Sequence, residues 1–156
     1  MNALAEKQLD PPLITVTTSR FGDIEVEQDK IITMTTPLLG FPDDTQFIIR
    51  PHGTDSPFMW FQSINSPHLA FVVIQATTII PDYKPAIPKN IKEELQCAEA
   101  DHDTLLVLTI PQGQPEAMTA NLLGPIVLNP NTKLSCQLLL DPGKFDPCWP
   151  VFTQED

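Results

Sequence analysis

The sequence predicts an all-β fold, a single compact antiparallel β-barrel-like domain with one short helix, and three observations carry that expectation. Prolines number 17 in 156 residues and run from Pro11 to Pro150. Proline lacks an amide donor and restricts the residue before it, so a mostly helical chain is disfavoured, and only the interval around residues 90–110 has room for a long helix. Short apolar or β-branched runs recur at regular spacing, each closed by Pro, Gly, Asp or Asn, which is the grammar of short strands joined by turns. The length suits one core, and with 42% hydrophobic residues the chain has the means to bury it.

The elements follow in order. Residues 1–12 are polar, end in Asp10-Pro11-Pro12 and read as a flexible tail, leaving residues 13–152 as the domain. Ile14 to Thr18 is β-branched throughout, and a turn near Arg20 to Asp23, helped by Gly22, folds the chain back into Ile24 to Gln28. Further strands are expected at Ile31–Met34, Gln46–Arg50, Phe58–Ser63, Leu69–Gln75, Thr104–Ile110, Ala117–Leu123, Ile126–Leu128 and Lys133–Leu140. The one helix falls at Pro88 to Leu95, where proline stands near the start and Ile91 and Leu95 share a face at i, i+4. The segment from Pro142 onward, with Phe145, Trp149 and Phe152 as anchors, is expected to pack across the barrel without regular structure.

Charge narrows the function. Twenty acidic side chains against nine basic ones give a net charge of -11, which argues against nucleic acid or an anionic membrane as a direct partner. It fits a protein with a basic partner, and equally a merely soluble one. The three cysteines, Cys97, Cys136 and Cys148, form no C-x-x-C pair and read as reduced thiols. No signal peptide is expected, and the longest apolar run, Leu69 to Ile74, is too short to span a bilayer, so a cytoplasmic protein is expected.

The case for chemistry is thin. His52, His68 and His102 lie beside turn residues, and no H-e-x-x-h pairing, G-x-S-x-G elbow or phosphate-cradling glycine loop occurs. Asp101-His102-Asp103 reads as a solvated acidic loop rather than a metal site, because adjacent residues seldom converge on one ion unaided. No enzyme, cofactor or metal is expected.

The acidic pattern is more informative. Asp23, Glu25, Glu27 and Asp29 recur with period two around Ile24 and Val26, so a strand puts the carboxylates on one face. That face is either simply solvated or a stripe that meets a basic partner; aligned like charges cost stability, which leans toward a use. No Lys or Arg occurs from Gln96 through Thr132, while Glu99, Asp101, Asp103 and Glu116 do. Phe58-Met59-Trp60-Phe61 is the densest aromatic run, and alternation sends Phe58 and Trp60 one way, Met59 and Phe61 the other. It is either a core strand or, if a ring is exposed, a binding hot spot.

Several segments resemble the FliW family. Phe21-Gly22-Asp23-Ile24-Glu25-Val26 is similar to the family's Phe-Gly-Glu-Ile-Glu start, and Leu38-Leu39-Gly40-Phe41 to its Gly-Leu-x-Gly-Phe turn. Pro57 to Ser63 and Pro67 to Val73 resemble its central Pro-Phe-x-Trp-Leu-Gln-Ser and Leu-Ala-Phe-Val-Val block. Pro81-Asp82-Tyr83 matches its Pro-Asp-Tyr, and Thr119 to Val127 resembles its Asn-Leu-x-Ala-Pro-Ile-Val block. The matches run in order and span nearly the whole chain. Two departures stand out: Pro37 replaces a glycine before the Leu-x-Gly-Phe turn, and Phe145-Asp146-Pro147-Cys148 stands where relatives have Tyr-x-x-Arg.

The resemblance implies a compact β-barrel regulator without catalysis, a flagellar assembly factor. It implies binding to the RNA-binding translational repressor CsrA, away from the RNA site itself, and alternatively to flagellin, so that flagellin synthesis follows export. Motif positions and charge pattern together put the expected partner contacts at Asp23, Glu25, Glu27, Asp29, Phe58, Trp60, Gln62, Asn65, Asn121 and Asn129. The competing readings are an unrelated β-barrel holding a small ligand in an interior cavity, and a flagellin chaperone that does not contact CsrA.

Overall fold

A computed structural model describes residues 12–97 and 102–152; the expected tail over residues 1–12 lies, but for Pro12, outside them. Leu13 and the β-branched run from Ile14 to Thr18 form β1, and Gly22–Glu27 returns antiparallel as β2. Gly22 supplies the turn, its φ of 73° lying where side chains with a Cβ are strained. This hairpin is a sheet by itself.

The remaining strands close into a ring. They are β3 (Ile32–Met34), β4 (Gln46–Pro51), β5 (Phe58–Ser63), β6 (Ala70–Gln75), β7 (Asp103–Thr109), β8 (Thr119–Ala120), β9 (Ile126–Leu128), β10 (Leu134–Gln137) and β11 (Trp149–Pro150). Neighbours run β11-β8-β7-β6-β5-β4-β3-β10-β9, and β9 pairs back onto β7, so β3, β4, β5, β6, β7, β9 and β10 form a closed seven-stranded barrel. Closure removes the exposed edges that an open sheet would carry.

Three details depart from the sequence expectation. The pairing of β3 with β10 is parallel, because a ring of seven strands, an odd number, cannot close through antiparallel pairs alone. A second short helix, α1 (Ala76–Ile79), follows β6, and the expected one is α2 (Lys89–Glu94). The chain after Pro142 is not wholly irregular: Trp149–Pro150 pairs with β8. Pairing needs only two residues here, fewer than a hydrophobic pattern can announce.

Strand alternation sorts the side chains into three clusters. Inside the ring sit Ile32, Met34, Leu38, Phe47, Phe61, Val73, Leu105, Ile126 and Leu128. Phe47 and Phe61 stack with centroids 4.3 Å apart and planes 9° from parallel, and both are fully buried. Outside β6 to β8 a second cluster gathers Tyr83, Leu106 and Met118, with Phe145 and Trp149 of the C-terminal segment packed on it. The third lies beneath α2, where Leu95 and Ile91 meet Val127, Cys136 and Leu138.

Truncating the stacked pair tests this arrangement. Phe61→Ala is expected to cost about 3–5 kcal/mol in urea unfolding, while Leu139→Ala, on a largely exposed side chain, stays within about 0.5 kcal/mol.

Candidate functional site: the outboard acidic hairpin and its groove

The β1–β2 hairpin is held on the barrel by rings and guanidinium groups. Trp60 of β5 lies directly across from Arg50 of β4. The Arg20 guanidinium sits 4.1 Å from the Trp60 ring centroid and that of Arg50 4.7 Å from the Phe21 ring, while Phe21 and Trp60 meet edge to face at 6.0 Å. Arg20 and Arg50 are the only two arginines in the chain, and both lie against rings here. Such contacts add of order 1 kcal/mol each to the area they bury. One backbone bond reinforces them, Ser19 N–H donating to the Pro67 carbonyl, while the Phe21 N–H donates to the Thr18 hydroxyl within the hairpin turn.

This mounting sets the direction of the acidic residues. Ile24 and Val26 are half-buried on the inner face; Asp23, Glu25 and Glu27 are exposed on the outer face, across from Thr17, Thr15 and Leu13. Asp29 is a correction to the expected stripe of four. Its strand ends at Glu27, and residues 28–30 turn as a 3-10 helix, so Asp29 is exposed but out of the strand's alternation.

The other expected contacts divide by burial. Phe58 and Trp60 are half-buried; Phe58 packs on the second cluster and Trp60 lies under Arg20. Gln62 is fully buried, its amide Nε2 donating to the carbonyls of Ser63, Pro67 and Leu69, so it organises the β5–β6 turn and is out of a partner's reach. Asn129, 3% exposed, donates through Nδ2 to the Leu95 and Gln96 carbonyls and anchors the end of α2. Both amide nitrogens are committed to main-chain carbonyls at a depth where such groups are satisfied from within, although Gln62 Oε1 is buried without a partner. Asn65 is exposed, but its Oδ1 accepts from the Thr45 and Gln46 amides; half-buried Asn121 accepts from the Leu123 and Gly124 amides.

The sequence concealed one feature. Between β2 and the barrel wall lies a groove of about 430 Å³, walled by Glu25, Val26 and Glu27 on one side and by Lys30, Arg50 and Lys133 among its other lining residues, with Ile48, Ile49 and Leu128 adding apolar surface. These residues come from five separate stretches of chain, so no local pattern could have assembled them. A second hollow of about 370 Å³, lined by Gln75, Tyr83, Lys84, His102 and Asp103, flanks α1; His102 Nδ1 there is buried without a hydrogen-bond partner. Asp101 and Glu99 lie outside the described residues, Asp103 is half-buried at the start of β7, and Glu116 is exposed beyond its far end. Among the described residues no three metal-ligating side chains converge, and no helix is long and apolar enough to cross a membrane.

Fold and surface thus define a small closed β-barrel with a filled interior and an acidic hairpin mounted outboard. The family model described as FliW protein matches residues 15–151. The flagellar assembly factor FliW of Magnetococcus marinus is 38% identical over 122 residues, 78% of this chain and 75% of the relative. That of Geobacter sulfurreducens is 36% identical over 141 residues, 90% of this chain and 88% of the relative. A crystal structure of the flagellar assembly factor FliW superposes with a TM-score of 0.83 at 28% identity, over 92% of this chain and 100% of that one. The chain belongs to the FliW family.

Two buried hydroxyl and thiol groups give the family fold an alkaline limit. Burial pushes Tyr83, whose hydroxyl donates to the Leu122 carbonyl at 2.8 Å, up from 10.0 to about 12. Burial, and then the nearby Glu94 charge, push the Cys136 thiol up from 9.0 to about 11. Raised folded values mean that the native state holds these protons longer than the unfolded chain, so their contribution is full below pH 9 and is lost on rising toward 12. Unfolding free energy measured against pH is expected to fall across that window. Tyr83→Phe should soften the upper part of the fall and cost about 1 kcal/mol at neutral pH. Ellman titration of the native protein should find exposed Cys148 first and Cys136 only after unfolding.

Proposed function

We propose that this chain works in the cytoplasm as a flagellar assembly factor that binds the translational repressor CsrA, antagonising its RNA binding, and alternatively binds flagellin. Membership of the FliW family supports the reading, and the single structural observation behind it is the exposed row of Asp23, Glu25 and Glu27 on a hairpin standing off the barrel. The chain carries a net charge of -11. Docked beside an RNA-binding surface, such a protein raises the cost of bringing phosphates near. Screening at physiological salt confines that effect to about 8 Å, so the acidic row must lie close to the RNA path. Flagellin, by occupying the protein, releases CsrA to repress flagellin translation; export of flagellin reverses the exchange. The interior offers little to the competing reading of a small-ligand barrel, since the stacked Phe47 and Phe61 and their neighbours occupy it.

A gel shift of a CsrA–leader-RNA complex titrated with the purified protein tests the proposal. RNA release that flagellin reverses is the expected result; no release at micromolar protein would remove the CsrA contact. Glu25→Lys with Glu27→Lys should leave the melting transition near that of the parent, because both side chains are exposed, yet weaken RNA release. Undiminished release by that variant would reduce the acidic row to a solvated face.

A further inference from the structure

We infer that the groove beside β2 is a strand-addition site, which takes an extended segment of a partner alternating apolar residues with Lys or Arg. The inference deepens the proposed function and rests on it only for the basic character of the partner.

The register fixes which backbone groups are available. Gln28 N–H donates to the Pro12 carbonyl at 2.8 Å, and the β1–β2 partners continue in the same register, Ile14 opposite Val26 and Val16 opposite Ile24. In an antiparallel pair the hydrogen-bonded positions alternate, so Val26 and Ile24 bond to β1 while the N–H and C=O groups of Glu25 and Glu27 point the other way. Among the described residues β2 pairs with β1 alone. Glu25, Val26 and Glu27 are also the β2 residues that line the groove, so its wall on this side is an unpaired strand edge.

Charge selects the occupant. A strand added antiparallel to β2 places its residues directly across from Glu25 and Glu27 on the exposed outer face, where opposite charge is stabilising. Its alternate residues turn inward, beside Val26 and the apolar surface of Ile48, Ile49 and Leu128. The groove lining also includes Lys30 and Lys133, whose ammonium groups carry only donors and no acceptors and so suit the carbonyls on the far edge of an added strand. A second copy of this chain is a poor occupant, because pairing β2 with its own twin sets Glu25 and Glu27 against carboxylates. Strand addition of this kind draws affinity from the main chain and specificity from alternate side chains.

The probe is a blocked octapeptide of four Val-Lys repeats, compared with its Val-Glu counterpart and with two N-methylated forms. In the inferred pose the lysine amides face β2 and the valine amides face away. Titration followed by amide NMR of the full chain should shift the Glu25 and Glu27 resonances. N-methylation of the lysines should weaken binding by about tenfold or more, while N-methylation of the valines changes it little, a loss of the size expected for a few backbone hydrogen bonds. The Val-Glu peptide should bind more weakly by a similar factor. Equal sensitivity to both methylation patterns, or saturation without movement of Glu25 and Glu27, would overturn the inference. So would movement of those resonances with protein concentration alone, which would make a second copy the occupant. Run alongside the gel shift, RNA release without register-dependent peptide binding sinks only the groove. Register-dependent binding without RNA release sinks only the CsrA reading.

Discussion

Closure of the barrel rests on one strand being shared twice. Along one edge β7 pairs with β6; along the other its first residues pair with β9 and its last with β8. Leu108 lies opposite Ala120 and Leu105 opposite Ile126, so the two residues between them on β7 are matched by five on the partner segment. The surplus must bulge, and Asn121 holds the bulge: its N–H donates to the Val107 carbonyl, and its Oδ1 takes the Leu123 and Gly124 amides that would otherwise lack partners. The Gln137 amide then donates to the Gly124 carbonyl at 3.0 Å. A Cβ on Gly124 would stand 2.7 Å from that amide nitrogen, so any other residue would push the Gln137 side chain off this bond. Beyond the bulge β9 pairs with both β7 and β10, and that double pairing closes the ring.

The same Gln137 ties closure to the loop between β3 and β4. Its Oε1 accepts from the Leu39 N–H, while Gly40, at φ 92°, turns the chain so that Phe41 N–H can reach the Leu38 carbonyl. Leu38 is thereby buried in the interior cluster and Leu39 left 72% exposed. Pro37 is accommodated because the positive φ of this turn falls at Gly40.

Much of this was legible in the sequence, for identifiable reasons. Strands with strong local alternation, such as Leu13–Thr18 and Phe58–Ser63, and the helix begun at Pro88, depend on residues a few positions apart, and they formed where expected. The two-residue β11, the parallel β3–β10 contact and the single turn of α1 depend on what lies across space, and no local pattern encodes that. The same division governs the site. Period two was enough to set Asp23, Glu25 and Glu27 on one face, but not to reveal that the strand stops before Asp29. Gln62 and Asn129 sit in motif-like stretches, and the sequence does not distinguish a polar residue kept for a partner from one kept to satisfy buried carbonyls. Burial makes that distinction.

Separating the charged hairpin from the barrel has an energetic logic. Carboxylates aligned on a face repel one another, and a barrel strand bearing them would transmit that cost to a core that is close-packed and intolerant of strain. On β1–β2 the repulsion falls on a two-stranded sheet whose inner face and Phe21 tip are fixed to the barrel by rings and guanidinium groups. Those contacts lie on the side of the hairpin away from the carboxylates, so the outer face can change its charge while the mounting and the filled interior stay as they are. The two arginines, the cations best able to lie flat on aromatic faces, are used for attachment. Lysine, a compact and strongly hydrated charge, supplies two further lining residues of the groove, Lys30 and Lys133. Planar guanidinium thus serves the packed joint, with Arg50 reaching the groove as well, while the ammonium groups of Lys30 and Lys133 line that groove and the latter is held by the Pro130 carbonyl.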